Sequence, residues 1–280
     1  MKNEINLIYL LGAGRSGTTL LATLLNNHKE IDAIGEMHQF FEYIDENKNC
    51  SCGVSISQCK TWNISNVFSE VKSERTYCEI KERHANIPNL LFTKKQYLHY
   101  NNIQNELFKV LSKHRNSNWF LDSSKYIARF LLLNKNNYFN VKGVYLVRDP
   151  RGVIFSFKKK VQTSKNALSA ILYYNIINLF AEVVYRRNKN VLKVKYEDLI
   201  DNPEETLSII YTHIFEKEIH LEKIEEYYNM PHIVGGNRIK KIKKINLKKD
   251  SLWHSNIPRL KQIIYYYLCL PFVLINKYKL

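Results

Sequence analysis

Apolar residues fall into two rhythms along the chain. Strand-like runs occur at 5–11 (INLIYLL), 118–121 (NWFL), 142–147 (KGVYLV) and 190–195 (NVLKVK), and helical periodicity fills most of the intervals between them. Leu20, Leu21, Leu24 and Leu25 follow the first run at helical spacing. Residues 167–185 carry Leu168, Ile171, Leu172, Ile176, Leu179, Phe180, Val183 and Val184, a stripe wide enough to predict a mostly buried helix. Asp201-Asn202-Pro203 reads as an N-cap followed by proline at the first helical position, with Leu207, Ile210, Tyr211 and Ile214 behind it. Alternation of this kind predicts an α/β fold, a parallel sheet flanked by helices.

Residues 47–116 depart from that rhythm. They are polar, punctuated by cysteines and without a clear strand, which predicts a mainly helical insertion over one edge of the sheet, on the substrate side. No internal repeat and no linker rich in proline, glycine or serine divides the chain, so 1–280 is expected to form a single domain. The first apolar run gives way to glycines too soon for a signal peptide. No run reaches the length of a bilayer span. The nearest, Ile263 to Ile275 (IIYYYLCLPFVLI), holds three tyrosines, Cys269 and Pro271 and reads as a buried or partly interfacial helix, which leaves peripheral membrane association open. Five cysteines are too few and too unevenly spaced for a disulfide scaffold, so a cytoplasmic protein is expected.

Charge narrows the class of partner. Lysine and arginine number 42 against 26 acidic residues, a net +16, which predicts attraction to anions, although the richness in lysine, asparagine and isoleucine also fits a composition bias. The stretch "LLGAGRSGTTLL" (10–21) supplies a place for one: a glycine-rich turn between an apolar strand and a helix. Backbone N–H groups of Gly14 to Thr19 at a helix start form an anion site by geometry and by the helix dipole, and Arg15, Thr18 and Thr19 add side-chain donors. The loop of nucleoside-triphosphate enzymes carries a lysine after its last glycine. Here Gly17 is followed by Thr18. That difference, and the lack of an obvious magnesium-holding aspartate at the end of a second strand, favours a less charged transferred group that needs no metal.

Two further stretches fit the same ligand. "VYLVRDPRGVIFSF" (144–157) places Arg148 just past a strand and Ser156 on the helix that Pro150 starts, so both can address one phosphate group. "HIVGGNRIKK" (232–241) offers two glycines, Asn237, and Arg238 as a planar fork for phosphate, with Lys240 and Lys241 as alternatives.

Taken together these blocks resemble the P-loop sulfotransferases that use PAPS, 3′-phosphoadenosine 5′-phosphosulfate. "GAGRSGTTLL" is similar to their 5′-phosphosulfate loop, "LVRDPRGVIFSF" to their 3′-phosphate strand and helix, and "HIVGGNR" to their late glycine-asparagine loop. "VKYEDLIDNPEETL" (194–207) and "LDSSKY" (121–126) resemble phrases of the bacterial and carbohydrate or tyrosylprotein branch. The likeness runs in separated blocks from about residue 5 to 255. It implies that Gly14, Arg15, Ser16, Gly17, Thr18 and Thr19 hold the sulfate and 5′-phosphate, that Arg148 and Ser156 hold the 3′-phosphate, and that Asn237 and Arg238 support the nucleotide. It also implies adenosine 3′,5′-bisphosphate as product and a hydroxyl-bearing acceptor, a saccharide, polysaccharide or peptide tyrosine. The late loop departs from the family's glycine-asparagine-x-x-arginine spacing, since Arg238 directly follows Asn237.

Sulfuryl transfer needs a base within hydrogen-bond reach of the acceptor hydroxyl. Glu36, in "IDAIGEMHQFF" after the short run Ile31, Ala33 and Ile34, is the expected base, matching the "GE" phrase of the branch. His38 is the alternative. Lys125, closing "LDSSK", resembles the lysine that bridges the leaving oxygen.

Two features fall outside that scheme. "CSCGVSISQCKTW" (50–62) brings Cys50, Cys52 and Cys59 near Trp62, a partial zinc pattern with no fourth ligand evident in the sequence, so no metal is assigned. "RIKKIKKINLKKD" (238–250) holds seven basic residues in thirteen, the usual mark of a solvated face, placed where an anion would welcome it. Nucleic acid is disfavoured, since no zinc finger, RNA-binding aromatic strand or recognition helix is found. The rival activities are a nucleotide-dependent small-molecule kinase and a non-catalytic polyanion-binding protein.

Overall fold

The structure, a computed structural model, describes residues 5–62, 74–115, 117–158, 164–236, 240, 242–248 and 250–280. In order, the elements are β1 (Ile5–Leu11), α1 (Thr18–Asn26), β2 (Ile31–Gly35), α2 (Phe40–Asp45), α3 (Arg75–Lys81), α4 (Ile87–Phe92), α5 (Leu98–His114), β3 (Trp119–Lys125) and α6 (Ile127–Asn134). There follow β4 (Phe139–Val147), α7 (Pro150–Lys158), α8 (Ala167–Arg187), β5 (Val191–Lys195), α9 (Tyr196–Asp201) and α10 (Pro203–Phe215). The last are β6 (Tyr228–Asn229), β7 (Lys244–Ile245), α11 (Leu252–Asn256), α12 (Arg259–Leu268) and α13 (Leu270–Ile275).

A parallel sheet in the order β2-β3-β1-β4-β5 is flanked by these helices. β1 is its central strand, and Leu7 to Leu11 are fully buried. An unbroken apolar run is what a parallel strand covered on both faces requires. By contacts the chain divides into two compact units. One comprises the residues through Leu11, Thr19–Gly143 and Tyr227–Ile245; the other comprises Gly12–Thr18, Val144–Glu226 and Asn246–Leu280.

In the first unit β3 pairs with β1 (Leu7 opposite Phe120, Tyr9 opposite Asp122) and with β2 (Ala33 opposite Leu121). β2 was legible only as a short apolar run, and β3 runs on to Lys125, four residues beyond its apolar part. That extension keeps Asp122, Ser123 and Ser124 buried. Of the stretch 47–116, expected to be mainly helical, the later part carries α3, α4 and α5, whereas 47–62 run in turns with a bridge between Asn49 and Ser55. Gly35 bridges Val234 in parallel, and β6 and β7 form a small antiparallel pair.

In the second unit α8 differs from its predicted orientation. Ile171 and Val184 are buried, but Leu168, Leu172, Ile176 and Leu179 are 42–72% exposed. The helix instead turns Tyr174, Ile177, Asn178, Ala181 and Glu182 inward. Asn178 Oδ1 accepts from the Tyr145 hydroxyl at 2.8 Å, and Glu182 takes Arg186 at 3.0 Å and Lys193 at 2.7 Å. Buried polar groups must find partners, and those partners fix the rotation that an apolar count assigned elsewhere. By length and composition α8 is apolar enough to cross a bilayer, contrary to the run-length reading. Asn202 caps α10 with Pro203 in the first turn as predicted, while Asp201 closes α9. The apolar run at 263–275 is broken at Cys269 into α12 and α13.

Candidate active site

The loop Gly12–Thr18 leaves the carboxyl end of β1 and opens into α1. Gly17 adopts φ +100°, and a Cβ there would lie 2.6 Å from Cδ2 of Tyr196, so glycine is required by both conformation and space. Arg15 holds φ +72°, a region that costs a non-glycine residue about 1 kcal/mol or more and that clusters at functional sites. Ser16 is fully buried, and its Oγ has no hydrogen-bond partner among the described residues. The Gly14 N–H donates to the Tyr173 hydroxyl at 3.0 Å.

Three of the residues singled out in the sequence converge at this loop. Arg15 Nε donates to Ser156 Oγ at 3.0 Å, and Arg148 NH1 donates to the carbonyl of Arg15 at 3.2 Å. Arg148 also stacks its guanidinium 4.2 Å from the ring centre of Tyr196. Its NH2 reaches the carbonyl of Asp250 at 3.3 Å and that residue's carboxylate at 3.2 Å. Two guanidinia within one loop system, one strained and one buried on an aromatic face, make a strongly anion-seeking cradle. Ser156, in the second turn of α7, is buried.

The turn after Arg148 is braced from far along the chain. Asp149 is gripped by Arg151 through Nε at 3.0 Å and NH2 at 2.7 Å. The same NH2 donates to the carbonyl of Lys279 at 2.6 Å, and the Arg151 guanidinium lies 4.5 Å from the Trp253 ring. Glu197 accepts the Asp149 N–H at 3.0 Å and the Tyr278 hydroxyl at 3.0 Å. Burial pushes the Glu197 carboxyl above its usual range. Asp149 follows a strand end, yet its carboxylate is taken up by Arg151.

In the other unit, Glu36 and Lys125 form an ion pair at 2.6 Å, with side chains 13% and 16% exposed. Lys125 also donates to the carbonyl of Ser123 at 2.8 Å, and Gln39 Nε2 donates to the second oxygen of Glu36 at 2.9 Å. Lys125, like Arg15, sits at positive φ, +68°. The Glu36 N–H donates to the carbonyl of Val234 at 2.8 Å. A Cβ on Gly235 would stand 2.6 Å from Cβ of Glu36, so the glycine lets the 232–236 segment lie against the carboxylate's own residue.

Beneath the pair runs a buried charge network. Arg129 donates through NH1 to Glu82 at 2.6 Å and through Nε to Asp122 at 2.8 Å, and the Tyr100 hydroxyl donates to Glu82 at 2.7 Å. Asp122 Oδ1 receives both the N–H and the hydroxyl of Ser124 and the N–H of Met37 at 3.4 Å. The network thus ties the end of β3 to the residues following Glu36. Burial raises the Glu82 carboxyl, against the pull of Arg129. His38, the alternative base, is stacked 4.2 Å from Tyr126, which also stacks on His84 at 4.8 Å. Burial, then the charges of Lys125, Arg129 and His84, holds His38 well below the usual histidine range. A base so weakened has little drive to take a proton near neutral pH.

Asn237, Arg238 and Lys241 lie outside the described residues. Lys240 donates to the Tyr43 hydroxyl at 2.6 Å. Tyr196 stands inside the "VKYEDL" phrase, and Arg129 was foreshadowed as the one charge in an apolar helix (IARFLLLN). Tyr173 and Asp250 carried no sequence signal.

A central strand that opens into a guanidinium-lined glycine loop at a helix start is an arrangement suited to an anionic group. The profile of the sulfotransferase family matches residues 8–216, well over half of the chain, and the protein belongs to that family. Among solved structures, the sulfotransferase domain from the curacin biosynthetic pathway is similar in fold, with TM-score 0.53, 18% identity and coverage of 95% of this chain and 98% of that one. The sulfotransferase domain from the Synechococcus PCC 7002 olefin synthase gives TM-score 0.57 and 18% identity, covering 100% of this chain and 97% of that one. No curated protein sequence matches the chain.

Proposed function

We propose that this sulfotransferase takes its sulfuryl group from PAPS and passes it to a hydroxyl of a saccharide, a polysaccharide or a peptide tyrosine, with Glu36 as general base. The observation that carries the donor assignment is the convergence of Arg15, Ser156 and Arg148 on a loop with threonine, not lysine, after its last glycine. The residues fit a sulfonated nucleotide: Ser16 Oγ is buried and lacks a hydrogen-bond partner among the described residues, and helix-start N–H groups flank it. PAPS would supply an activated sulfuryl group and a bisphosphate leaving group. Gly14, Arg15, Ser16, Gly17, Thr18 and Thr19 would bind the 5′-phosphosulfate end, and Arg148 and Ser156 the 3′-phosphate; Asn237 and Arg238 remain assigned to the nucleotide by resemblance alone.

The chemistry asks for three further things. The acceptor hydroxyl must lose a proton, and Glu36, held by Lys125 and Gln39, offers one carboxylate oxygen to each. By resemblance, Lys125 would turn to the leaving oxygen of the donor, and the Glu36 oxygen it now holds would be free to take the proton. Positive charge must meet the negative charge that builds on the departing phosphate, a task for Lys125 and Arg15. Geometry must be in line, which rigid strand ends serve better than mobile loops.

The deciding experiment is thermal denaturation with and without adenosine 3′,5′-bisphosphate. A ligand at a hundredfold excess over its Kd adds about 2.7 kcal/mol of apparent stability, so a clear rise in Tm is expected, unchanged by EDTA. A rise with magnesium-ATP and none with the bisphosphate would replace this reading by a kinase.

A further inference from the structure

The three cysteines of "CSCGVSISQC" meet a fourth ligand that arrives from 173 residues downstream of Cys59. They stand on a tight turn in which Cys50 N–H donates to Val54 at 2.9 Å, Gly53 N–H returns to Cys50 at 3.0 Å, and Cys59 N–H donates to Ser55 at 3.0 Å. The segment bearing His232 is clipped to that turn from both sides of the histidine. Ser51 Oγ donates to the carbonyl of Pro231 and accepts from the Ile233 N–H at 3.0 Å, while Ser51 N–H donates to Ile233 at 3.3 Å. His232 Nδ1 then lies 3.2 Å from Cys59 Sγ and 3.9 Å from Cys50 Sγ. Cys52 Sγ lies 3.7 Å from Cys59 Sγ, and all four ligand atoms fall within 4.8 Å of one another.

We propose that Cys50, Cys52, Cys59 and His232 bind one zinc ion tetrahedrally, and that this ion fixes the 231–236 segment against Glu36. Zinc–sulfur bonds near 2.3 Å and zinc–nitrogen bonds near 2.0–2.1 Å, at tetrahedral angles, put sulfurs about 3.8 Å apart and sulfur about 3.6 Å from nitrogen. The separations here already straddle those edges. The Cys52 and Cys59 sulfurs are far beyond the roughly 2.05 Å of a disulfide. Apolar packing of thiols does not explain the cluster, because Cys52 and His232 are exposed while Cys50 and Cys59 are buried; the exposed pair gives an ion a way in. Three thiolates and one imidazole are soft enough to select zinc over magnesium or calcium. On binding, the three thiols release their protons to solvent, and three sulfur lone pairs and the Nδ1 lone pair fill the coordination shell.

Outer contacts hold the histidine in register. Its carbonyl accepts from Trp62 Nε1 at 2.9 Å and from Arg115 NH2 at 3.3 Å. Arg115 is itself stacked 4.1 Å from the Trp62 ring and paired with Asp32 at 2.8 Å. Two residues past His232, Val234 pairs with β2: its N–H donates to Ile34 at 3.2 Å and its carbonyl accepts from Glu36 at 2.8 Å. Gly235 then packs on Glu36. The ion thus acts as a positioning element; that part rests on the reading of Glu36 as base, whereas the site itself does not.

The test is metal analysis of untagged protein from zinc-supplemented cells, alongside Cys52→Ser and His232→Ala. About one zinc per chain is expected in the parent and a clear loss in both variants. Should the variants fail to fold, cobalt exchange into the parent decides: thiolate-to-cobalt charge transfer and intense tetrahedral d–d bands support the site, and their absence overturns it. A parent chain without zinc after supplementation, or a Cys52–Cys59 disulfide found by mass analysis, would also overturn it. Where sulfuryl transfer is measurable, zinc removal should lower kcat about tenfold or more while leaving the Kd for adenosine 3′,5′-bisphosphate within about twofold. A chain that binds zinc but transfers no sulfuryl group would sink the assignment of Glu36 and leave the metal site standing.

Discussion

Replacing Arg129 with methionine tests the support beneath the proposed base. The guanidinium is about 1% exposed and joins two carboxylates, Glu82 at 2.6 Å and Asp122 at 2.8 Å. Methionine keeps an unbranched apolar stem in place of the arginine's but strands both partners. Removing one member of a buried ion network costs about 3–5 kcal/mol, because the remaining charge stays desolvated. At about 2–4 °C per kcal/mol for larger domains, the melting temperature should fall by about 10 °C. The pH dependence has a definite sign. Without Arg129 the Glu82 carboxyl, already raised by burial, rises further. A group with a raised folded pKa stabilises below its unfolded value, about 4.3 for glutamate, and that contribution is lost as pH climbs through the folded value. The deficit against the parent should therefore shrink toward pH 5 and widen toward pH 8. Calorimetric melts across that range measure it, and adding Glu82→Gln should recover part of the loss. A variant within about 1 kcal/mol of the parent at pH 7.5, or a deficit that grows on acidification, would refute the argument.

Glu36→Gln should lower kcat/KM by about 10²–10⁴-fold, the range for a lost general base, with donor Kd within about threefold; full turnover in initial-rate assays would exclude Glu36 as the base. Arg148→Ala should raise the Kd for adenosine 3′,5′-bisphosphate by roughly 10–100-fold, since hydrogen bonds to charged groups contribute about 1.5–3 kcal/mol. Titration calorimetry reads it, and unchanged affinity would remove Arg148 from the phosphate site. His38 has a folded pKa depressed by burial and nearby cations, so its stabilising contribution is present above about pH 6.5 and is lost as pH falls below that value. His38→Phe should flatten the fall in Tm between pH 7 and pH 5, and an unchanged slope would contradict it.

Much of the fold was readable because parallel strands buried on both faces leave unbroken apolar runs, as at Ile5–Leu11, and because Pro203 marks a helix start. α8 was misread where polar residues outvoted apolar ones: Asn178 and Glu182 turn inward to meet Tyr145 and Lys193, so four aliphatic side chains face outward. The glycine loop and the Arg148–Ser156 stretch each stood out as a short local pattern, but the contact of Arg15 with Ser156 joins residues 141 positions apart and has no spacing to read. Glu36 and Lys125 were named separately, but their pairing depends on β2 and β3 lying side by side, which no local pattern announces. His232 is the extreme case. A ligand set split across most of the chain has no spacing to read, and the clip of Ser51 to Pro231 and Ile233, with Trp62 and Arg115 on the His232 carbonyl, brings it together.

The brace on the Arg148 turn has a further implication. Lys279 and Tyr278 hold Arg151 and Glu197, which in turn hold Asp149. That corner therefore closes late in synthesis, because one of its clasps stands 128 residues further along the chain than Arg151. Cutting the chain ahead of Tyr278, or a substitution that pries its ring from Glu197, would slacken the corner without removing Arg148 or Ser156.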